Sequence, residues 1–250
     1  MKVIAINGVS SSGKTTVCET IIKGLRKRGY SVGSVKEIHY EAFKIDPDMS
    51  SNTNRHKAAG AQLVAARGFT ETDILYPNML PISDILKHYG HDFVLLEGVT
   101  DCNAPRIITA HKEQEVKERM DERAILVSGV IANSGIETMQ GLPVINALKD
   151  SEKLVDYVVN HAFEPLPSFG PECCFACGHT CRELAGLIAQ NKASRNECVL
   201  SNPEIELKVN GHCIDMVPFV QKLLKNAVMG VVSELSGFEN NGEIEVKFKL

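Results

Sequence analysis

Eight residues near the start of the chain constrain its fold more than any others: Gly8-Val9-Ser10-Ser11-Ser12-Gly13-Lys14-Thr15. They form a complete G-x-x-x-x-G-K-S/T motif, in which backbone N–H groups converge on a polyphosphate. The apolar run at 3–6 before the motif is typical of a buried parallel strand, and the apolar residues after it recur at helical spacing. Strand, loop and helix are the context that this motif requires, so the sequence predicts an α/β fold with a phosphate-binding loop.

The residue types of the loop match the chemistry of a bound nucleoside triphosphate. The two glycines allow a tight curl, and the following helix directs its unpaired N–H groups at the phosphates. Lys14 is predicted to reach the β- and γ-phosphate oxygens, and the Thr15 hydroxyl to ligate the Mg²⁺ that bridges them. Both are therefore candidate catalytic residues. The predicted nucleotide-binding residues of the loop are Gly8, Ser10, Ser11, Ser12, Gly13, Lys14, Thr15 and Thr16.

A candidate metal-side residue follows a second apolar strand. The segment 92–98, Asp-Phe-Val-Leu-Leu-Glu-Gly, ends abruptly in an acid and a glycine. Because ligands of parallel sheets gather at the carboxyl ends of the strands, Glu97 is predicted to face the same crevice as Lys14 and Thr15. There it would act in catalysis by helping to organise Mg²⁺. The alternative is a solvated carboxylate at a strand end.

The rest of the chain alternates between strand and helix patterns up to residue 163, which predicts a P-loop nucleotide-binding domain at 1–163 with a mostly parallel sheet. One of its helices is expected from Thr53 or Asn54 to Arg67. Three prolines then predict a linker at 164–171. A small cysteine-rich domain at 172–200 and an α+β unit of ββαβ order at 201–250 complete the prediction. In that unit Asn210-Gly211 forms a hairpin turn and 244–248 the last strand.

The net charge and hydropathy of the chain limit the classes of partner that it can bind. The net charge of −4 argues against a nucleic-acid surface, because phosphate backbones recruit clustered lysine and arginine. No apolar run approaches the length of a membrane span, and the N-terminus shows no signal-peptide pattern. We therefore expect a cytoplasmic protein with small-molecule or protein partners, and with neither nucleic-acid nor membrane partners.

Five of the eight cysteines fall within 26 residues, at 173, 174, 177, 181 and 198. In a reducing cytosol such a group more often binds metal than forms disulfides. Four thiolates serve an iron–sulfur cluster or tetrahedral Zn²⁺ equally well, and the presence of a single C-x-x-C pair favours the cluster. Cys18, Cys102 and Cys213 are expected to be ordinary small side chains, although Cys102 follows Glu97 closely enough for a role at the nucleotide.

The P-loop half resembles the MobB family of molybdopterin guanine dinucleotide biosynthesis. The matching pieces are the loop, Lys36 with His39 close by, the segment Asn54-Arg55-His56-Lys57-Ala58-Ala59-Gly60-Ala61, and Leu95-Leu96-Glu97-Gly98 followed by Ala104-Pro105-Arg106-Ile107. The resemblance covers 1–163 and adds Lys36 and Arg55 to the predicted nucleotide-binding residues. It implies GTP binding, weak Mg²⁺-dependent hydrolysis, a homodimer, and assistance to a molybdopterin guanylyltransferase or a molybdenum or tungsten enzyme.

The chain departs from related patterns at two places. A Lys-His pair usual in the family is here Lys36-Glu37, with His39 two places later. The guanine-reading N-K-x-D of many GTPases is missing, and Asn133-Ser134-Gly135 follows the relevant strand without the aspartate. The choice between GTP and ATP is therefore open at the level of sequence.

The cysteine segment resembles the small [4Fe-4S] domain of Rnf-type electron-transfer and corrinoid proteins. This resemblance implies that Cys174, Cys177, Cys181 and Cys198 are the cluster ligands. The spacing between Cys177 and Cys181 is one residue shorter than in that family, which would let Cys173 replace Cys174. Three functions follow: a slow GTPase, an adaptor whose 41–54 loop is ordered by nucleotide, or a metallocluster chaperone.

Overall fold

The computed structural model describes residues 1–40, 43–169, 174–201, 205–209, 212–214, 216–239, 242 and 244–247, with only the backbone at 212–213. The chain divides into two compact units. The first contains Met1–Ser168 and Cys181–Arg195, and the second contains Phe169–Thr180 and Asn196–Leu250. The predicted boundaries at 163, 171 and 200 stay predictions.

A five-stranded parallel sheet forms the centre of the first unit. Its strands are β1 (Lys2–Gly8), β2 (Val32–Lys36), β5 (Phe93–Glu97), β6 (Arg106–Thr109) and β7 (Ala124–Ser128). Their order is β2-β5-β1-β6-β7, so β1 lies in the middle with every neighbour parallel to it. The strands β1, β5, β6 and β7 are buried almost throughout, which explains their continuous apolar runs. The predicted α/β fold with a mostly parallel sheet is confirmed.

Helices cover the sheet, and two short hairpins extend from it. Gly24 lies on helix α1 (Lys14–Lys27) and Val155 on helix α5 (Ser151–His161). Gly24 allows the two helices to approach closely, since a Cβ at this position would lie 2.3 Å from a methyl carbon of Val155. The remaining elements of this part of the chain are α1 (Lys14–Lys27), α2 (Asn52–Ala58), β3 (Val64–Arg67), β4 (Thr72–Leu75), α3 (Ile82–Leu86), α4 (Glu113–Arg119), β8 (Thr138–Met139), β9 (Leu142–Pro143) and α5 (Ser151–His161).

Helix α6 (Cys181–Ala189) belongs to the first unit, although it follows the proline-rich segment in sequence. Its Arg182 pairs with Asp121 at 2.9 Å and with Glu122 at 2.6 Å, both just before β7. Gly186 faces the Glu122 side chain so closely that a Cβ would lie 2.5 Å from it. Leu184 is fully buried. An apolar contact and an ion-pair network therefore hold α6 against the unit that carries the phosphate loop.

The second unit contains an antiparallel hairpin of β10 (Leu207–Val209) and β11 (His212–Ile214), followed by α7 (Pro218–Val232). The predicted hairpin and helix are present, while the turn at 210–211 lies outside the described residues. The predicted last strand is wrong for 244–247, which pair with no other strand in the described part of the chain. Residue 248 lies outside it. None of the described helices combines the length and apolar character needed to cross a membrane.

The helix predicted to run from Thr53 or Asn54 to Arg67 is wrong in its second half. Helix α2 ends at Ala58, and Gly60 adopts a φ of 103°, which breaks the helical path. The alanine-rich continuation instead forms β3, which pairs antiparallel with β4. Alanine and arginine favour helices in isolation, but pairing between the strands overrides that preference here.

Candidate functional site

The phosphate-binding motif lies where the prediction places it, between the carboxyl end of β1 and the first turn of α1. Ser11 and Gly13 both have positive φ values, 57° and 96°, so the chain curls tightly at these residues. Gly8 is required by space, because a Cβ there would lie 2.2 Å from the Thr109 carbonyl oxygen. Ser10, Ser11, Thr15 and Thr16 are exposed at the mouth of the curl. The loop therefore presents open backbone at the N-terminus of a fourteen-residue helix.

Lys14 is folded back over the loop. Its ammonium donates to the carbonyl oxygens of Gly8 at 3.0 Å and Val9 at 2.6 Å. Partial burial, followed by repulsion from the Lys36 ammonium, lowers the Lys14 pKa from its ordinary value. Phosphate oxygens would therefore replace two neutral carbonyl acceptors with a stronger, charged partner.

Thr15, Lys36 and Glu97 meet at one carboxylate oxygen. The Thr15 hydroxyl donates to Glu97 Oε1 at 2.8 Å, and the Lys36 ammonium bonds to the same atom. The pairing of β2 with β5 sets Lys36 directly beside Glu97. Burial acts to raise the Glu97 pKa, but the hydrogen bonds from Lys36 and Thr15 hold it below its ordinary value. The result is an ionised carboxylate beside the hydroxyl expected to ligate Mg²⁺.

Residues at the carboxyl ends of β6 and β7 support the loop, and the sequence prediction missed them. Ser12 is buried, and its hydroxyl bonds to the Val9 carbonyl at 2.8 Å and to the Thr109 hydroxyl at 2.7 Å. Val130 N–H donates to the Ser12 carbonyl at 3.0 Å. Gly129 comes so close that a Cβ on it would lie 2.2 Å from the same oxygen. The signal available in sequence was a Ser-Gly pair at the end of an apolar strand.

A histidine also touches the loop. His111 Nε2 lies 3.1 Å from the Ser11 carbonyl oxygen, and because a carbonyl only accepts, the ring must donate. The other ring nitrogen lies 3.4 Å from a Glu115 carboxylate oxygen, so the imidazole is held between the loop and α4. Sequence reasoning considered His39 and His56 instead. Nothing in the local sequence distinguishes His111, since the parallel pairing of β6 with β1 sets it there.

Arg55 is not placed against the loop by any described contact. It is exposed on α2, where its guanidinium donates to Asn52 on the same helix at 3.4 Å. The preceding segment is held instead by Asp46, whose carboxylate accepts the hydroxyls of Ser51 and Thr53. These hydrogen bonds lower the Asp46 pKa. Ser51 caps the start of α2, because its hydroxyl oxygen accepts from the Asn54 N–H at 3.2 Å, and Asp46 holds the Ser51 side chain in place. The nucleotide-binding role of Arg55 stays a prediction.

The cysteines do not form a metal site in the described residues, where no three His, Cys, Asp or Glu side chains come close enough to hold an ion. Cys181 belongs to the first unit, whereas Cys174, Cys177 and Cys198 belong to the second. Cys173 lies outside the described residues. The assignment of these four cysteines as cluster ligands therefore stays a prediction from the resemblance.

Cys18 and Cys102 are buried in the first unit. Burial, helped by the Glu97 carboxylate, raises the Cys18 pKa to about 12. Burial and Asp101 raise the Cys102 pKa to about 12. Cys102 packs in the apolar cluster around Leu96, and its carbonyl accepts from Arg123 at 2.6 Å.

Comparison with known proteins identifies the family that carries this loop. The family model described as "Molybdopterin guanine dinucleotide synthesis protein B", MobB, matches residues 3–132. The chain belongs to the MobB family. The matched residues contain the loop, Glu97, His111 and Gly129, so the whole site described above lies within the MobB core.

Relatives differ in how much of the chain they match. A "Putative molybdopterin-guanine dinucleotide biosynthesis adapter protein" of Methanocaldococcus jannaschii is 25% identical and spans 99% of this chain and 97% of its own length. A "Probable molybdopterin-guanine dinucleotide biosynthesis adapter protein" of Bacillus subtilis, also 25% identical, spans 63% and 91%. The solved structure of Bacillus subtilis MobB, 20% identical, superimposes with a TM-score of 0.50 over 65% of this chain and 99% of that one, which shows a shared fold.

Proposed function

We propose that the chain binds GTP with Mg²⁺ at the phosphate loop and acts as a nucleotide-dependent adapter in the biosynthesis of a molybdenum or tungsten guanine dinucleotide cofactor. Two relatives that carry the adapter name support this role, one of them over nearly its full length. The main support for GTP and Mg²⁺ binding is the 2.8 Å hydrogen bond between Thr15 and Glu97 at the first turn of α1. A hydroxyl and an ionised carboxylate at this position are the oxygen ligands that Mg²⁺ prefers.

Each residue of the site has a definite task in this proposal. The N–H groups from Ser10 to Thr16 and the positive end of α1 bind the phosphate oxygens. Lys14 exchanges its two carbonyl partners for the β- and γ-phosphates. Thr15 and Glu97 hold Mg²⁺, which supplies charge neutralisation when bound. Lys36 leaves Glu97 and faces the incoming phosphate charge.

Hydrolysis is expected to be slow. Glu97 accepts a hydrogen bond from Thr15 and would face Mg²⁺ in the nucleotide-bound state, and its pKa already lies below the ordinary value, so it is a weak proton acceptor for an attacking water. We therefore propose that nucleotide occupancy, rather than rapid turnover, is what a partner such as a molybdopterin guanylyltransferase reads. The 43–54 segment and α2 are candidates for the part that responds. Turnover of many per second without a partner would contradict this view.

Calorimetric titration of the full chain with GTP and Mg²⁺ tests the nucleotide site. Lys14→Ala should weaken GTP binding by about tenfold to a hundredfold, because a hydrogen bond to a charged group is worth about 1.5–3 kcal/mol. Lys23→Ala is the matched control: Lys23 lies on the same helix, its side chain is exposed, and among the described residues its partner is Glu19. No binding by the unaltered chain, or equal affinities for the two variants, would overturn the proposal.

The adapter role is tested with the guanylyltransferase itself. Addition of the full chain with GTP should raise the yield of guanine dinucleotide cofactor, and the Lys14→Ala variant should not. A yield independent of the chain contradicts the role even if GTP binds. The two experiments therefore separate nucleotide binding from adapter activity.

We also propose a homodimer. The β3–β4 hairpin exposes Leu63, Phe69 and Ile74, and Phe69 stands fully in solvent at its turn. Phe69→Glu should convert a dimer into a monomer in light scattering. Phe219→Glu, which changes an equally large exposed side chain on α7 of the second unit, should leave the mass unchanged. A monomeric unaltered chain would contradict the dimer.

We propose an iron–sulfur cluster on Cys174, Cys177, Cys181 and Cys198 from the resemblance of this segment to a [4Fe-4S] domain. Anaerobic purification followed by iron, sulfide and zinc analysis tests it. About four irons and four sulfides per chain, with visible absorbance that bleaches on reduction, would support the cluster. One zinc and no visible absorbance would replace it with a structural Zn²⁺ site.

A further inference from the structure

A chain of hydrogen bonds fixes which way the side-chain amide of Asn133 faces. The N–H groups of Leu148 and Lys149 donate to Asn146 Oδ1 at 3.0 and 3.1 Å. Because backbone N–H groups only donate, the Asn146 oxygen must lie on that side and its NH₂ group on the other. That NH₂ group donates to Asn133 Oδ1 at 2.8 Å and to the Ala132 carbonyl at 3.3 Å.

The orientation of Asn146 therefore determines that of Asn133. Asn133 Oδ1 is used as an acceptor, which leaves its Nδ2 as the outward group, and Nδ2 has no partner among the described residues. Asn146 itself is 7% exposed, so it is locked in place, whereas Asn133 is exposed. The protein thus holds a pre-oriented pair of N–H donors toward solvent.

These donors lie beside the phosphate loop. Asn133 belongs to the 3-10 helix Val130–Ser134, which begins directly after Gly129 at the carboxyl end of β7. The first N–H of that helix donates to the Ser12 carbonyl of the loop, and the next to the Ala110 carbonyl after β6. Since β7 is two strands from β1, its carboxyl end is displaced sideways by about 10 Å from the strand that enters the loop, and Asn133 follows in the next turn of chain. A nucleoside extends over a comparable length from its phosphates.

We propose that Asn133 is the base-reading residue and that its Nδ2 donates to the 6-oxo edge of a purine, so that the site selects guanine or hypoxanthine over adenine. This inference rests on the proposed nucleotide-binding function. In a 6-oxopurine, O6 and N7 both accept hydrogen bonds. In adenine, the 6-amino group would oppose one donor with another and leave a polar group unpaired. The exposed Val130 side chain, 41% accessible, offers an apolar surface for the base plane.

Inosine and adenosine triphosphates test this proposal, because the two purines differ only at position 6 and its ring proton. With Mg²⁺, calorimetry of the full chain should show ITP bound about fivefold to tenfold more tightly than ATP, the value of one net hydrogen bond. Asn133→Ala should bring that ratio close to one. Asn133→Asp presents an acceptor in place of the donor, so ATP should become the tighter ligand.

Ser134→Ala is the matched control. Ser134 is exposed on the same 3-10 helix, and its hydroxyl is already used in a bond to the Ile131 carbonyl at 2.7 Å, so the ITP/ATP ratio should not change. If neither nucleotide binds, the proposed function and this inference both fail. If ITP and ATP bind the unaltered chain equally, or Asn133→Ala keeps the ratio, nucleotide binding stands and the assignment of Asn133 is overturned.

Discussion

Gly129 lies outside the phosphate loop, but its replacement with alanine should displace the loop. Gly129 has φ 80° and ψ −149°, a conformation that is essentially restricted to glycine and costs other residues about 3 kcal/mol. Its added Cβ would lie 2.2 Å from the Ser12 carbonyl oxygen and 2.8 Å from Thr109 Cβ, so the loop would have to retreat. This movement of the loop would break the hydrogen bond from the Val130 N–H to the Ser12 carbonyl, which is worth about 1 kcal/mol. The expected destabilisation is about 4 kcal/mol.

Gly135→Ala provides the comparison for this estimate. Gly135 also has a positive φ, 75°, but with ψ 9° it lies in the ordinary left-handed region, and no atom of the described residues lies within 4 Å of an added Cβ. Its cost is backbone strain alone, about 1–2 kcal/mol. At about 3 °C per kcal/mol, the melting temperatures should fall by roughly 12 °C for Gly129→Ala and 4 °C for Gly135→Ala.

Thermal unfolding followed by circular dichroism measures both variants, and GTP titration measures the loop. Gly129→Ala should also weaken GTP binding at a temperature where the variant is folded, because the Ser12 carbonyl has moved and the loop curl with it. Gly135→Ala should bind normally. Equal melting temperatures for the two variants would refute the close approach of Gly129 to the loop, and normal GTP binding by Gly129→Ala would refute its link to the phosphates.

Three further predictions concern Glu97, the two buried cysteines of the first unit and Thr109. Because the Glu97 pKa is held below its ordinary value, the ionised form stabilises the fold fully above about pH 4.3, and this contribution disappears as the pH falls through the lowered pKa. Glu97→Gln should therefore unfold with a shallower acid dependence in urea titrations at several pH values, and an unchanged slope would contradict the carboxylate contacts. Cys18 and Cys102 should resist alkylation in the native chain and react only after denaturation, because both side chains are buried and both pKa values are raised to about 12. Mass spectrometry of the alkylated peptides measures this difference. Thr109→Val removes the hydroxyl that bonds to buried Ser12 and should lower the free energy of unfolding by about 1 kcal/mol, with a neutral result in urea unfolding counting against that bond.

The sequence could predict those parts of the site whose determinants are close together in the chain. The loop, its flanking strand and helix, and the acid at the end of β5 all follow from motifs of a few residues. Lys36 entered the predicted site only by resemblance, and the pairing of β2 with β5 is what sets it beside Glu97. The parallel order explains why an acid 82 positions from Thr15 reaches its hydroxyl.

The missed residues have determinants far apart in the chain. His111, Thr109 and Gly129 contact the loop because β6 and β7 follow β1 in the sheet, and strand order is not encoded in any local pattern. The wrong prediction of a helix at 59–67 has a similar origin, since the pairing of β3 with β4 outweighs the helical preference of alanine. Gly60 was the available signal for an early stop.

Helix α6 changes what the shortest self-sufficient form of this protein can be. A chain ended after Ser168, near the length that the Bacillus relative matches, would keep every strand of the sheet and still lose Arg182, which pairs with Asp121 and Glu122. The apolar surface that Leu184 and Ala185 cover would then face water, together with part of an ion-pair network that includes Arg106 and Arg123. Biochemistry on such a truncated chain would therefore report the behaviour of a unit that lacks part of its own core, since Cys181–Arg195 belong to the unit that carries the phosphate loop.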